Sequence, residues 1–332
     1  MKRGVLAFVL ATAAGAGTTA AQSTQAELAI TAGASTQSVS AVGTQIRLFG
    51  EAKRHLRYFL EAAWATESGT ESDAFGAAYP YDQHVRAIET YGEAFVQREK
   101  LLLSVRAGRY RTPFGIYGRS DHAYTGFTRP PLIRYDDYFG LSNNFLEGGV
   151  NVLAGTPMLH AEVSLGVPQD EGQAVRQSGL DPVFRIEGYA GGLIVGASHM
   201  RSRPYDRRFF VHGDLVFTGL DFRYMLAGVQ LRGEWVTGRP FDNVVTRGWY
   251  LDAIVHRPEM GPVTLVARAE KLDYVAGLRS RYDNRFTTGA LVRLPGDLVA
   301  QVNVSHQPGG YFGDTQRTAV DALLTWAIRY PR

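Results

Sequence analysis

The sequence contains no cysteine, almost no lysine and no long apolar run. The absence of cysteine excludes disulfide frameworks, cysteine-based zinc sites, iron–sulfur clusters and thiol catalysis. Arginine supplies 31 of the 35 basic residues, and the formal net charge is only +3. This excess is too small to indicate nucleic-acid binding, so we expect no nucleic-acid partner. No stretch approaches the roughly 18 consecutive apolar residues that a membrane-spanning helix needs.

The first 21 residues have the pattern of a secretory signal peptide. Lys2 and Arg3 form a positive start, a short apolar stretch begins at residue 4, and small residues follow up to Ala21. The apolar stretch is too short for a membrane span. We therefore predict cleavage after Ala21 and a single mature domain of residues 22–332.

A two-residue period dominates the remainder of the chain. In residues 229–235, Val229, Leu231 and Trp235 occupy one face, whereas Arg232 and Glu234 occupy the other. Strict alternation of this kind is typical of strands with one apolar and one polar face. No segment of comparable clarity has the helical period, so the chain is predicted to be all-β.

The alternation predicts about sixteen strands, with 14 to 18 possible. They cover residues 25–35, 42–51, 55–65, 85–97, 101–112, 147–155, 158–167, 182–190, 192–201, 214–225, 228–238, 246–257, 262–273, 284–294, 297–306 and 317–330.

Short connections alternate with long ones along this series; the long ones include 66–84, 115–146, 239–245 and 274–283. A soluble β-sandwich also has polar and apolar faces, but it gives no reason for this alternation. A transmembrane antiparallel β-barrel does, because its turns are short on the periplasmic side and its loops are long on the outer side. We therefore expect a barrel in the cell outer membrane, with outer-membrane lipid around it.

The inner face of such a barrel would be rich in both signs of charge. Arg106, Arg232, Glu234, Arg268 and Glu270 have the inward register. One interpretation is a hydrated pore with separated positive and negative walls. The other is that arginines and carboxylates pair with one another and stiffen the barrel. The sequence leaves both open.

The connection 115–146 is the longest and is the third long loop in chain order. A loop of this length needs a functional reason, and in a wide barrel the natural one is to fold inward and narrow the lumen. A surface loop on the outer rim is the alternative. If the loop folds inward, its charged residues join Arg106, Arg232, Glu234, Arg268 and Glu270 as candidate pore-lining or constriction residues. The loop residues concerned are Arg119, Asp121, Arg129, Arg134, Asp136 and Asp137.

Residues 107–116, with the sequence AGRYRTPFGI, resemble the segment that precedes the third loop of bacterial outer-membrane porins. The resemblance is strongest to the phosphate-selective porin group and its relatives. It implies a barrel that passes small solutes passively and that is often a homotrimer. Phosphate-selective members rely on lysine and arginine along the pore, whereas the inward arginines of this chain are matched by acids.

These observations predict a porin that forms a water-filled channel for small polar or charged solutes or ions. A closed structural or adhesive barrel is the first alternative. A barrel enzyme is the second, although the sequence contains no Gly-x-Ser-x-Gly and no His-Glu-x-x-His motif. We predict no catalytic residue, no cofactor and no metal.

Overall fold

The computed structural model describes residues 23–37, 40–66, 85–116, 126–134, 146–168, 180–202, 205–206, 211–212, 215–241, 244–276, 279–308 and 317–330. The predicted signal peptide lies outside these residues. The barrel strands are β1 (Ser23–Ser35), β2 (Ala41–Lys53), β3 (Leu56–Ala65), β4 (Arg86–Arg98), β5 (Leu101–Arg111), β6 (Leu146–Gly155), β7 (Leu159–Pro168), β8 (Asp181–Ala190), β9 (Leu193–Ser202), β12 (Leu215–Leu226), β13 (Val229–Phe241), β14 (Val244–Val255), β15 (Val263–Ala276), β16 (Arg279–Leu294), β17 (Leu298–Gln307) and β18 (Arg317–Tyr330). The pair β10 (Tyr205–Asp206) and β11 (Val211–His212) forms a separate hairpin.

Within the described residues, sixteen strands form one closed antiparallel barrel, in which each strand pairs with its neighbours in chain order. The first and last strands complete the closure, from Ala26 opposite Tyr330 to Ser35 opposite Asp321. The predicted fold class and strand number are confirmed. Closure gives every strand two partners, so the sheet has no free edge.

The alternation of the sequence places apolar side chains on the outside of the barrel and polar ones inside. On β17, Val302 and Val304 are 47% and 43% exposed, whereas Gln301 and Asn303, which alternate with them, are 3% and 0% exposed. The other strands repeat this arrangement. Outward apolar residues exposed to a similar degree include Leu103, Val105, Val150, Val152, Val163, Leu165, Ile186, Val195, Trp235, Trp249, Leu251, Leu265, Leu324 and Trp326. An apolar outer surface of this extent is suited to lipid.

Tight turns connect the strands at one end of the barrel. Ala227 and Gly228, which link β12 to β13, have φ values of 49° and 77°, and two residues with positive φ are the signature of a type I′ hairpin. Gly191–Gly192 and Glu99–Lys100 are equally short connections. This end corresponds to the periplasmic side of an outer-membrane barrel.

The predictions of long loops at 239–245 and 274–283 were wrong. Strands β13 and β14 remain paired as far as Phe241 and Val244, and β15 and β16 as far as Ala276 and Arg279. The alternation of apolar and polar residues fades in these segments. Backbone pairing between strands does not require that alternation, so the two hairpins extend beyond the apolar band.

No helix among the described residues is long and apolar enough to cross a membrane. In the part of the chain that the structure describes, the short helical segments are the 3-10 turns Leu132–Arg134 and Pro258–Met260.

An arginine at the centre of the apolar band should destabilise the barrel strongly. We expect Val302→Arg to lower the free energy of unfolding in lipid vesicles by about 2–4 kcal/mol. The control is Leu298→Arg on the same strand and face, beside the short turn, where the cost should be only about 0–1 kcal/mol. Urea titration of both variants measures the difference; equal costs would contradict the assignment of this face to lipid.

Candidate functional site

The chain enters the lumen directly after β5. Phe114 and Ile116 are 1% and 2% exposed, and the Gly115 N–H donates to the Ser198 hydroxyl on β9 at 3.1 Å. The two side chains belong to a buried apolar cluster inside the barrel. Its members are Phe114, Ile116, Leu132, Ile133, Val183, Met200, Phe217, Val236, Tyr250 and Leu272. The entering segment is therefore held against the β8–β15 part of the inner wall by apolar packing.

Residues 126–134, which we call the inner segment, lie against the inner wall formed by β14–β18. Arg129 makes a two-pronged contact with Asp321 on β18, with Nε–Oδ2 2.6 Å and Nη2–Oδ1 2.9 Å. Beside it, the N–H and hydroxyl of Thr128 both donate to the Asn303 side-chain oxygen, at 2.6 and 3.0 Å. Arg129 and Asp321 are buried, and a buried bidentate pair holds its partners in a fixed geometry.

The backbone of the inner segment is also bonded to charged wall residues. Arg268 on β15 donates to the Arg129 carbonyl at 3.0 Å, and the Leu132 N–H donates to a Glu270 carboxylate oxygen at 2.6 Å. Arg285 on β16 donates to the Pro130 carbonyl. These contacts satisfy backbone groups that a segment lying inside a barrel cannot pair within a sheet.

The wall residues beneath the inner segment form a buried ion-pair network. The Asp252 carboxylate accepts from Arg232 at 2.8 Å and from Arg268 at 2.6 Å. The Arg268 guanidinium lies 3.9 Å from the centre of the Phe127 ring. Arg285 contacts Glu270 at 2.6 Å. Because each charge is compensated by a near neighbour, the cost of removing it from water is offset.

The opposite part of the lumen contains a cavity of about 630 Å³ bounded by β1–β5 and β18. Gln25, Glu27, Arg47, Phe49, Phe59, Glu61, Glu89, Tyr91, Arg106, Arg111, Pro113, Glu162 and Arg329 line it. Its charged groups form a continuous chain: Arg329–Glu27 2.9 Å, Glu27–Arg47 3.3 Å, Arg47–Glu61 3.6 Å, Glu61–Arg111 3.5 Å and Arg111–Glu89 3.1 Å. We call this row the charge ladder.

The structure separates the predicted constriction residues into two groups. Arg106 borders the cavity, whereas Arg129, Arg232, Glu234, Arg268 and Glu270 are all buried, at 2–6% exposure. Arg119, Asp121, Asp136 and Asp137 lie outside the described residues, as does the side chain of Arg134, whose backbone ends a 3-10 turn.

Sequence reasoning missed the apolar cluster and the aromatic residues of the cavity. Val183, Met200, Phe217, Val236 and Leu272 occupy inward positions on their strands, where the alternation predicts polar residues. These apolar residues interrupt the polar face in the sequence itself, and they could have indicated where the loop packs. Phe49, Phe59 and Tyr91 occupy inward positions of the same kind.

Among the residues that the structure describes, no group of three or more histidine, aspartate or glutamate side chains is arranged to hold a metal ion.

The closed sixteen-stranded barrel, its apolar outer surface and the chain segments inside its lumen are features of the fold of outer-membrane porins. No protein-family profile matches the chain, and no curated protein matches it. Several solved structures match the chain by their fold.

The anion-selective porin from Comamonas acidovorans has a TM-score of 0.63 at 13% identity, covering 92% of this chain and 99% of that one. OmpF from Salmonella typhi has a TM-score of 0.63 at 10% identity, with 92% and 97% covered. OmpT from Vibrio cholerae, solved in a trimer form, has a TM-score of 0.59 at 10% identity, with 92% and 98% covered. The chain thus has the sixteen-stranded fold of outer-membrane porins over its described length. Together with the apolar outer surface, this fold places the chain in the outer membrane.

Removing the carboxylate that pairs with Arg129 should release the inner segment. In Asp321→Asn a buried guanidinium loses its charge partner, a change that costs about 3–5 kcal/mol. The backbone pairing of the barrel does not depend on this pair, so the cost falls on the docking of the segment. We expect amide hydrogen exchange in residues 126–134 to accelerate by roughly a hundredfold to several thousandfold.

The matched control is Asp273→Asn. Asp273 pairs with the more exposed side chains of Arg247 and Lys271, at 3.5 and 3.2 Å, and exposed pairs contribute little. Its exchange pattern in residues 126–134 should equal that of the unmodified protein. Unchanged exchange in Asp321→Asn would show that the ion pair does not hold the segment.

Proposed function

We propose that this chain is an outer-membrane porin, a water-filled channel through which small polar or charged solutes diffuse passively. The observation that carries the proposal is the asymmetric lumen. Residues 114–116 and 126–134 lie on the wall from β8 to β18, and a cavity with charged walls remains along β1–β5.

The cavity walls support passage of water and solutes. The Arg329 side chain is 66% exposed, and the Arg47 and Arg111 side chains are 11% and 12% exposed. Charged side chains lining a channel replace part of the hydration shell of a passing solute without binding it tightly. Small solutes therefore have a polar route beside the docked loop.

The two groups of predicted constriction residues receive different roles in this proposal. Arg106 faces the solute. Arg129, Arg268 and Glu270 fix the position of the segment that narrows the channel, and Arg232 supports Arg268 through their shared partner Asp252. Glu234 is buried in the same wall. We do not propose that the channel selects phosphate, because each arginine of the charge ladder contacts a glutamate.

Assembly and export complete the proposal. Residues 1–21 act as a signal peptide, and residues 22–332 form the single mature barrel domain. The barrel associates as a homotrimer in outer-membrane lipid; the trimer form of the similar Vibrio cholerae OmpT supports this arrangement.

A closed structural barrel and a barrel enzyme are the competing functions. A closed barrel would be expected to fill its lumen completely, whereas here the β1–β5 side retains a cavity of about 630 Å³. The most enzyme-like group among the described residues is His160 with Tyr189 and Glu187, where the tyrosine hydroxyl lies 3.0 Å from His160 Nδ1 and 2.6 Å from Glu187. We propose that these three side chains form a hydrogen-bonded part of the barrel wall and that the protein is not an enzyme.

Planar-bilayer conductance of the purified full chain tests the proposal. We expect stepwise increases in current, and a larger step for Asp321→Asn because the released inner segment no longer narrows the lumen. Asp273→Asn should give the step size of the unmodified protein. Absence of any stepwise current from correctly folded protein would overturn the channel and favour the closed barrel.

A further inference from the structure

Three aromatic rings form a strip inside the cavity. Phe49 on β2, Phe59 on β3 and Tyr91 on β4 are consecutive cross-strand partners, and all three line the cavity. The ring centres of Phe49 and Phe59 are 6.2 Å apart with planes at 28°, and those of Phe59 and Tyr91 are 5.4 Å apart with planes at 15°. The rings are stacked in steps and present a continuous apolar surface, which we call the aromatic strip.

At one end of the strip, an arginine side chain lies over the last ring. The Arg106 guanidinium carbon lies 4.5 Å from the centre of the Tyr91 ring. The strand partner of Tyr91 is Gly108, which has a φ of 131° and a backbone so close to β4 that a Cβ would lie 2.3 Å from the Thr90 carbonyl. Glycine is the residue that accepts this geometry, since a Cβ would also lie 2.8 Å from the Tyr91 Cα.

Among the described residues, the strip is separate from the apolar cluster that anchors the loop. The apolar cluster that anchors the loop draws its wall residues from β8, β9 and β12–β15, and none of the three strip residues belongs to it. Large apolar rings that border a wet lumen gain less from burial than rings in a core. Three such rings side by side on the polar face offer an apolar surface to a solute in the cavity.

The charge ladder runs beside the strip on the same face. Arg47, Glu61 and Glu89 each stand two residues from a ring of the strip, and residues two apart on a strand point the same way. The six ladder residues are three arginines and three glutamates in alternation, so the row carries no net charge. It presents donors and acceptors side by side along the full length of the strip.

This combination selects for a particular solute chemistry. A hydroxyl group both donates and accepts, so a row of adjacent guanidinium donors and carboxylate acceptors suits a solute with many hydroxyls. The C–H faces of a sugar ring are apolar and can pack on aromatic rings, in the manner of a binding surface with a few placed polar groups. A compensated row gives no net attraction for an ion. A neutral sugar has the hydroxyl groups, the apolar ring faces and the absence of net charge that suit this surface.

We propose that the aromatic strip and the charge ladder form a binding site for neutral sugars, a mono- or disaccharide whose ring packs along the strip while its hydroxyls bond to the ladder. This proposal rests on the proposed function, since it names the solute class that the same channel passes. Binding is weak, as conduction requires the solute to leave again.

The test is calorimetric titration of glucose and of maltose into the detergent-solubilised full chain. We expect saturable heat with at least one of the two sugars, and about fivefold weaker binding in Phe59→Leu, which keeps apolar volume but removes the ring. The matched control is Phe95→Leu, an aromatic residue that also faces inward on β4 but contacts Arg57 and His55 outside the cavity. Its sugar affinity should be unchanged.

Three results would overturn the sugar site: no saturable heat with either sugar, an equal loss in both variants, or saturable binding of sodium benzoate in place of the sugars. Bilayer current recorded with the same preparations separates the two proposals. Stepwise current without sugar binding would support the channel and overturn the sugar site. Sugar binding without stepwise current would support the sugar site and overturn the channel.

Discussion

A backbone amide that faces lipid has no water to bond with, and this constraint determines the rest of the structure. A sheet in a membrane must close, so that every strand has two partners. Here the seam between β1 and β18 completes the ring of sixteen strands. Once the ring is closed, each strand has an outward face for lipid and an inward face for the lumen. The two-residue period of the sequence follows from that division.

Closure fixes the width of the tube but leaves its interior to be shaped by side chains. Residues 114–116 and 126–134, at the start and in the middle of the third loop, lie on one wall. Apolar packing around Phe114 and Ile133 holds the loop near the outer ends of the strands, and the Arg129–Asp321 pair holds it on the far side. The charges are costly to bury, so they are matched one against another. The remaining wall, along β1–β5, keeps a cavity with compensated charges and exposed rings.

The sequence predicted the barrel well because the lipid face imposes a periodic pattern that needs no knowledge of the third dimension. Strands were predicted to within a few residues, except where pairing outlasts the apolar pattern, as in the extension of β16 back to Arg279. The site was less predictable. Charged positions such as Arg106 and Arg268 have the same inward register, yet one borders the cavity and the other is covered by the loop. Which wall the loop covers depends on packing between residues far apart in the chain.

The absence of cysteine permits a direct test of this division of the lumen, because a single introduced thiol is the only reactive one in the chain. Gln25 lines the cavity, and Thr287 on β16 faces inward but is 6% exposed. A water-soluble, charged thiol reagent added during bilayer recording should modify Gln25→Cys and reduce its current, and should leave Thr287→Cys unchanged. Equal modification of the two, or modification of Thr287→Cys alone, would contradict a channel that runs along β1–β5.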